Sequence, residues 1–157
     1  MSPHWVAPLT SRTSRTPGAS VRRGRDARYA PDMPKSVHHV NLSVPEDAAP
    51  AEGEWLVGML GYREVQGGPD INALVEKMGR RVWWFEGDDG SQVHLSPNPE
   101  HAIVSAAHTA IRLDEDLDPC IGRLEGGGFE TRTIAFDGER HVFVTDPAGN
   151  LWELVGP

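Results

Sequence analysis

A stretch near the middle of the chain recurs close to its C-terminus, and this repeat constrains the fold more than any other feature. Gly79–His94 (GRRVWWFEGDDGSQVH) aligns without gaps with Gly138–Glu153 (GERHVFVTDPAGNLWE), at an offset of 59 residues. Both copies place a turn sequence between segments rich in β-branched and aromatic residues, which is typical of two paired strands. The final aligned pair is His94 and Glu153, and both side chains are common metal ligands.

The repeat extends to the segments upstream, where the order strand, helix, strand precedes each copy. The sequence therefore predicts two tandem βαβββ modules and a layered α+β fold. One segment, Ile71–Met78, fits a helix or a strand equally well. The predicted strands are Val37–Val44, Tyr62–Gln66, Arg81–Glu86, Gln92–Ser96, Ala107–Leu113, Phe129–Phe136, His141–Thr145 and Leu151–Val155, and the predicted helices are Glu46–Leu60 and Leu117–Leu124.

Residues 1–34 differ from the rest of the chain in charge and composition. They carry six Arg and two Asp, a net charge of +4, whereas the remaining residues have a net charge of −12. This segment is rich in Ser, Thr, Pro and Arg and shows no apolar period. We interpret residues 1–34 as a disordered basic N-terminal extension, with a transit peptide or a nucleic-acid-binding arm as alternatives. The folded domain is then 35–157, with modules at about 37–97 and 105–157.

The amino-acid composition also indicates in which cellular compartment the protein works and which classes of partner it does not bind. No apolar run approaches 18 residues, so we expect no membrane partner. The single Cys120 rules out an internal disulfide and favours the cytoplasm. The acidic body argues against nucleic acid as the main partner.

Four residues occupy matching positions in the two modules. His39 and His108 lie on the opening strands, and His94 and Glu153 lie on the closing strands. Imidazole nitrogens and a carboxylate oxygen are good ligands for a divalent transition metal. A single strand histidine is more often structural, but the correspondence between two copies favours a shared metal site. Three neutral histidines and one glutamate leave a divalent ion with a charge of about +1, which favours an anionic intermediate.

The other histidines receive structural interpretations. His38 has the opposite strand phase to His39, so we expect packing or a place at the rim of the site. His4, His101 and His141 are interpreted as structural or solvated.

These motifs resemble those of the vicinal oxygen chelate (VOC) superfamily. The resemblance rests on the double βαβββ pattern, on His39-Val40 in the first strand, and on Asp146-Pro147-x-Gly149-Asn150-x-x-Glu153-Leu154 at the end. It covers about Val37–Pro157. Members of this superfamily include glyoxalase I, methylmalonyl-CoA epimerase, extradiol dioxygenases and fosfomycin-resistance thiol transferases.

The resemblance implies an open, cup-shaped mixed barrel around one divalent transition metal (Ni, Co, Zn, Mn or Fe). The implied ligands are His39, His94, His108 and Glu153. Contacts in a homodimer often complete the barrel. The implied activity is that of a glyoxalase-like lyase or isomerase acting on a small substrate that is anionic or has vicinal oxygens. A non-catalytic drug- or metabolite-binding protein and a small dioxygenase are the alternatives.

Further roles follow from the same resemblance and from strand phase. Glu153 is the expected proton shuttle, with His94 or His39 as the other candidate base. Arg112 shares the phase of His108, so it is expected to bind a substrate carboxylate or to form a surface ion pair. Asn41 and Ser43 share the phase of His39 and are expected to line the substrate cavity.

Overall fold

A computed structural model describes residues 37–113 and 116–157, which fall within one compact unit, Ser36–Pro157. The predicted extension at 1–34 lies outside the described residues. The elements of the first module are β1 (His39–Val44), α1 (Ala49–Leu60), β2 (Arg63–Val65), α2 (Pro69–Lys77), β3 (Trp83–Glu86) and β4 (Gln92–Pro97). Those of the second are β5 (His108–Arg112), α3 (Asp118–Gly126), β6 (Thr131–Phe136), β7 (Glu139–Thr145) and β8 (Leu151–Gly156).

Each module forms one four-stranded sheet, and the two sheets have the same topology. Sheet A has the order β1-β4-β3-β2, and sheet B has the order β5-β8-β7-β6. In both, the opening strand pairs in parallel with the closing strand, while the other pairs are antiparallel. The α+β fold of two βαβββ modules is therefore confirmed, with mixed sheets that remain open.

Strand β1 shows why the two faces of sheet A differ. Leu42 and Val44 are buried in the core, whereas His39 and Asn41, with the opposite phase, are exposed. The alternation predicted from the sequence is thus the observed one, since successive side chains in a strand point to opposite faces. We call the face opposite the helices, which carries His39 and its equivalents in the other strands, the open face of each sheet.

Helix α1 packs on the core side and ends where the sequence indicates. Trp55 and Leu56 are buried, and Gly61 follows the last helical residue with φ +79°, a left-handed conformation that glycine adopts without a steric penalty. The helix begins at Ala49, three residues later than predicted. Glu52 is fully buried in this helix, a position that apolar periodicity does not reveal.

The undecided segment Ile71–Met78 falls mostly within helix α2. Proline at its start suits the first helical turn, where a backbone N–H has no partner inside the helix. None of its residues is buried, and Ile71, Leu74 and Met78 are exposed. Ile71, Leu74, Val75 and Met78 follow the i, i+3, i+4, i+7 spacing of a helix, although the helix buries none of its residues.

The two modules share one hydrophobic core. The Trp55 ring of α1 lies 5.5 Å from the Trp152 ring of β8 and 6.1 Å from that of Phe129. The Arg123 side chain of α3 donates a hydrogen bond to the Met59 carbonyl of α1 at 3.2 Å. Across 37–113 and 116–157, none of the helices has the length and apolar character needed to cross a membrane.

Candidate metal centre

Two of the predicted ligands meet on the open face of sheet A. The register of β1 and β4 sets Asn41 opposite His94, and His39 lies two residues earlier on the same face. The ring centroids of His39 and His94 are 5.0 Å apart. The Trp84 ring of β3 stacks on His94 at 4.5 Å and 10°, and contacts His39 edge-on at 5.5 Å. The indole therefore forms an apolar wall beside both imidazoles.

The electrostatics of this pair keep His94 neutral. Its burial lowers the pKa of His94, and a positive charge on nearby His39 lowers that pKa further. The Nδ1 atom of His94 is buried and finds no hydrogen-bond partner among the described residues. A neutral imidazole is the form that binds a metal. His38, predicted to pack or lie at the rim, is exposed, and its Nδ1 lies 2.8 Å from that of His39.

The other two predicted ligands meet on the open face of sheet B. His108 Nε2 lies 2.8 Å from Glu153 Oε2. The second carboxylate oxygen, Oε1, lies 2.7 Å from His141 Nδ1. Glu153 itself is 13% exposed at its side chain, so its carboxylate is largely removed from water and held by two imidazoles.

His141 is the residue of this site that the sequence interpretation missed. Its buried ring stacks on Phe136 of β6, with centroids 3.7 Å apart and planes at 15°. His141 pairs with Val155 in the β7–β8 register, and Val155 lies on the same face as Glu153. Strand phase on β7, where His141 alternates with buried Val142, is the signal that could have identified it.

The turn before β8 is held by buried acidic groups. Asp146 accepts hydrogen bonds from the Asn150 backbone N–H at 2.8 Å and from Trp152 Nε1 at 2.9 Å. Glu52 Oε2 of α1 accepts one from the Ala148 N–H at 3.3 Å. Burial, and then the nearby Asp146, raise the pKa of Glu52 to about 9. These contacts attach α1 to the strand that carries Glu153.

Three of the predicted site residues, Asn41, Ser43 and His108, line one cavity of about 220 Å³ beside strands β1 and β5. Asn41 is exposed there, whereas the Ser43 hydroxyl accepts a hydrogen bond from Asn98 at 3.2 Å and lies 3.3 Å from His101 Nδ1. A larger cavity of about 460 Å³ lies beside α1, against Trp83 and Phe85 of β3, and none of the predicted residues lines it.

Arg112 lies on the open face of sheet B and forms an ion pair. Its guanidinium donates two hydrogen bonds to Glu139, at 2.6 and 3.2 Å, and both side chains are more than 40% exposed. The contact with Arg112 lowers the pKa of the Glu139 carboxyl. Of the two roles expected for Arg112, the surface ion pair is the arrangement observed here.

The four predicted ligands thus form two pairs, one on each sheet. Among residues 37–113 and 116–157, no three or more His, Cys, Asp or Glu side chains are grouped so that they could hold a metal ion. Each pair nevertheless fits half of a metal site. Atoms 2.8 Å apart, such as His108 Nε2 and Glu153 Oε2, can both reach one ion at bond lengths of about 2.0–2.2 Å.

Comparisons with known proteins agree on the fold. No protein-family model and no curated sequence matches the chain. The structure is similar to a glyoxalase/dioxygenase from Nostoc punctiforme, with a TM-score of 0.64, 23% identity, and coverage of 84% of this chain and 97% of the other. It is also similar to the fosfomycin resistance protein FosX from Listeria monocytogenes, with a TM-score of 0.62, 15% identity, and coverage of 80% and 95%.

A third similar structure is the lactoylglutathione lyase from Agrobacterium tumefaciens. The TM-score is 0.58 at 19% identity, and the match covers 78% of this chain and 94% of the lyase. The sequence identities to these proteins are low, so the similarity establishes the fold and no shared activity. The chain therefore has the fold of the vicinal oxygen chelate superfamily, as the resemblance of its motifs indicated.

Proposed function

We propose that this protein is a glyoxalase-like enzyme that uses one divalent transition metal to isomerise or cleave a small substrate with vicinal oxygens. One observation carries the proposal. Equivalent strands of the two modules bring ligand-type side chains together in pairs, His39 with His94 and His108 with Glu153. A structural role would not require the same positions to carry such residues twice.

The chemistry divides between the metal and the protein side chains. His39, His94, His108 and Glu153 would hold a divalent ion, which supplies Lewis acidity that polarises neighbouring oxygens and acidifies an adjacent C–H. Glu153 would take up and return that proton at Oε2, the oxygen that faces His108, once this oxygen has left the ion. The Trp84 ring covers one face of the His94 imidazole and shields that face from water.

Substrate binding is assigned to the cavity of about 220 Å³ that Asn41, Ser43 and His108 line. The exposed amide of Asn41 can donate to and accept from substrate oxygens. Arg112 is assigned to a substrate carboxylate, which would take the place of Glu139 in its exposed ion pair. A cavity of this size suits a small cytoplasmic metabolite.

We further propose that the working form is a homodimer in which each metal site draws one pair from each subunit. Two observations support this arrangement. The pairs lie on different sheets, and the described residues of one chain bring no more than two of the predicted ligands together. In a dimer with two-fold symmetry, the open face of sheet A in each subunit would contact the open face of sheet B in the other subunit. Two equivalent metal sites would then form, because every contact in such an interface occurs twice.

Metal titration tests the proposed function. Wild type, His39→Ala/His94→Ala and His108→Ala/Glu153→Ala are treated with chelator and titrated with Co²⁺, Zn²⁺, Ni²⁺, Mn²⁺ and Fe²⁺ by calorimetry. We expect about one ion per subunit in wild type and loss of measurable binding in both variants, because each retains only two ligands. Wild-type protein that binds none of these ions would contradict the proposal and favour a metal-free drug- or metabolite-binding protein.

The metal that copurifies with the protein, when no chelator is used, distinguishes between the candidate reaction types. Zinc, nickel or cobalt favours an isomerase or lyase, because these ions act as Lewis acids without a required redox step. Iron favours a dioxygenase instead, because non-haem iron supports oxygen chemistry. Elemental analysis distinguishes the two.

A further inference from the structure

His141 occupies a position on sheet B from which it reaches the carboxylate of Glu153. It lies on β7 opposite Val155, two residues from Glu153 along β8, so the two side chains share the open face. Its Nδ1 is 2.7 Å from Glu153 Oε1, and its side chain is 9% exposed. A contact of this length between two largely buried groups is strong, because water does not compete for either atom.

The hydrogen of this contact resides on Nδ1 of His141. A carboxylate only accepts hydrogen bonds, so the imidazole must be the donor. The other ring nitrogen, Nε2, is buried and has no partner within the described part of the chain. With the hydrogen on Nδ1, Nε2 is an unpaired acceptor, and a buried unpaired acceptor is more common in proteins than a buried unpaired donor.

The ring of His141 is itself held in place. Phe136 stacks on it at 3.7 Å, at the end of β6 where the chain reverses. Asp137 and Gly138 make this reversal with φ values of +53° and +83°, a two-residue turn that brings β6 and β7 into register. The turn, the stack and the hydrogen bond together give the imidazole a single orientation.

The two oxygens of Glu153 are thereby given different environments. Oε1 is engaged by His141, and Oε2 faces His108 at 2.8 Å. We propose that His141 is a positioning residue that holds Oε1 of Glu153, so that Oε2 alone is presented to the metal beside His108. This inference rests on the proposed function. Hydrogen-bonded partners behind ligands of this kind typically change metal affinity about 10–100-fold when removed.

Cobalt titration of chelator-treated, full-length protein tests the inference. His141→Leu removes the donor, whereas His141→Asn keeps an N–H near the position of Nδ1. We expect His141→Leu to bind Co²⁺ about 10–100-fold more weakly than wild type, because Oε1 of Glu153 is no longer held by a hydrogen bond. His141→Asn should recover most of the affinity. Circular dichroism confirms that each variant is folded.

Two results would overturn the inference while leaving the proposed function intact. The first is that His141→Leu binds Co²⁺ as tightly as wild type, while the control variant Glu153→Ala no longer binds it. The second is equal weakening of Co²⁺ binding in the Leu and Asn variants, which would show that an N–H donor to Oε1 is not what His141 contributes. Wild-type protein that binds no Co²⁺ or other metal would instead contradict the proposed function, and the inference with it.

Discussion

At the scale of single residues, burial decides how the acidic side chains behave. Glu153 is largely buried and has a histidine nitrogen beside each oxygen, so both oxygens have a polar partner. Glu52 is fully buried, and its Oε1 has no hydrogen-bond partner among the described residues. An isolated charge is costly in such a place, and the group therefore keeps its proton. Glu52 is thus a structural glutamate, whereas the proposed function gives Glu153 a reactive role.

Glu52 gives the protein a pH-dependent stability. Its pKa is raised from 4.5 to about 9. Below pH 4.5 both the native and the unfolded state hold the proton. Between about pH 5 and pH 9 only the native state holds it, so each step up in pH favours unfolding. Relative to Glu52→Gln, the free energy of unfolding of wild type should fall by up to about 1.4 kcal/mol per pH unit in this range.

Denaturant unfolding of wild type and Glu52→Gln at pH 6, 7, 8 and 9 measures this difference. The gap between the two proteins should widen steadily with pH. Parallel stability curves would show that Glu52 is ionised in the native state.

Residue roles of this kind are hard to predict from the sequence. Strand phase and module alignment predicted one shared site for His39, His94, His108 and Glu153, whereas the structure has them in two pairs, one on each sheet. Their joint metal binding stays a prediction. Glu52 could not be found in this way, because a polar residue in a helix is expected at the surface. His141 aligns with Val82 in the first module, so the alignment that revealed the other histidines concealed this one.

At the scale of secondary-structure elements, local patterns were most reliable where one face is buried. Strand β1 alternates because one of its faces is in the core, and α1 ends at a glycine with φ +79°. In helix α2 the helical spacing of Ile71, Leu74, Val75 and Met78 is present in the sequence, and it could have decided between helix and strand for Ile71–Met78. The spacing occurs here although the helix has no buried residue.

The end of α1 allows a matched pair of glycine substitutions. A Cβ atom at Gly61 or Gly58 would meet no other atom within 4 Å, so packing changes little in either case. Gly61 has φ +79°, and alanine there should destabilise the fold by about 1 kcal/mol. Gly58 is inside the helix, and alanine there should stabilise it by about 0.5–1 kcal/mol.

Thermal or denaturant unfolding of both alanine variants measures the change in the free energy of unfolding for each. We expect a decrease for Gly61→Ala and an increase for Gly58→Ala. Destabilisation by Gly58→Ala, or a neutral Gly61→Ala, would contradict the helix boundary.

At the scale of the whole molecule, the duplication explains both the fold and the site. Two modules with one topology share a core through α1, α3 and the inner faces of both sheets. Their alignment allowed the fold to be predicted, because each module repeats the same strand order. How the two pairs of ligands combine could not be predicted, since it depends on contacts between surfaces that local sequence patterns do not describe. A second copy of the chain supplies the missing half in the arrangement proposed above.

Mixing two inactive variants tests this arrangement most directly. His39→Ala/His94→Ala and His108→Ala/Glu153→Ala are unfolded together, refolded, and assayed for the metal bound per subunit. If each site uses one pair from each subunit, random pairing gives heterodimers with one intact site, and about a quarter of the wild-type metal capacity returns. If each site uses both pairs of one chain, the mixture binds no more metal than the separate variants, and that result would contradict the shared site.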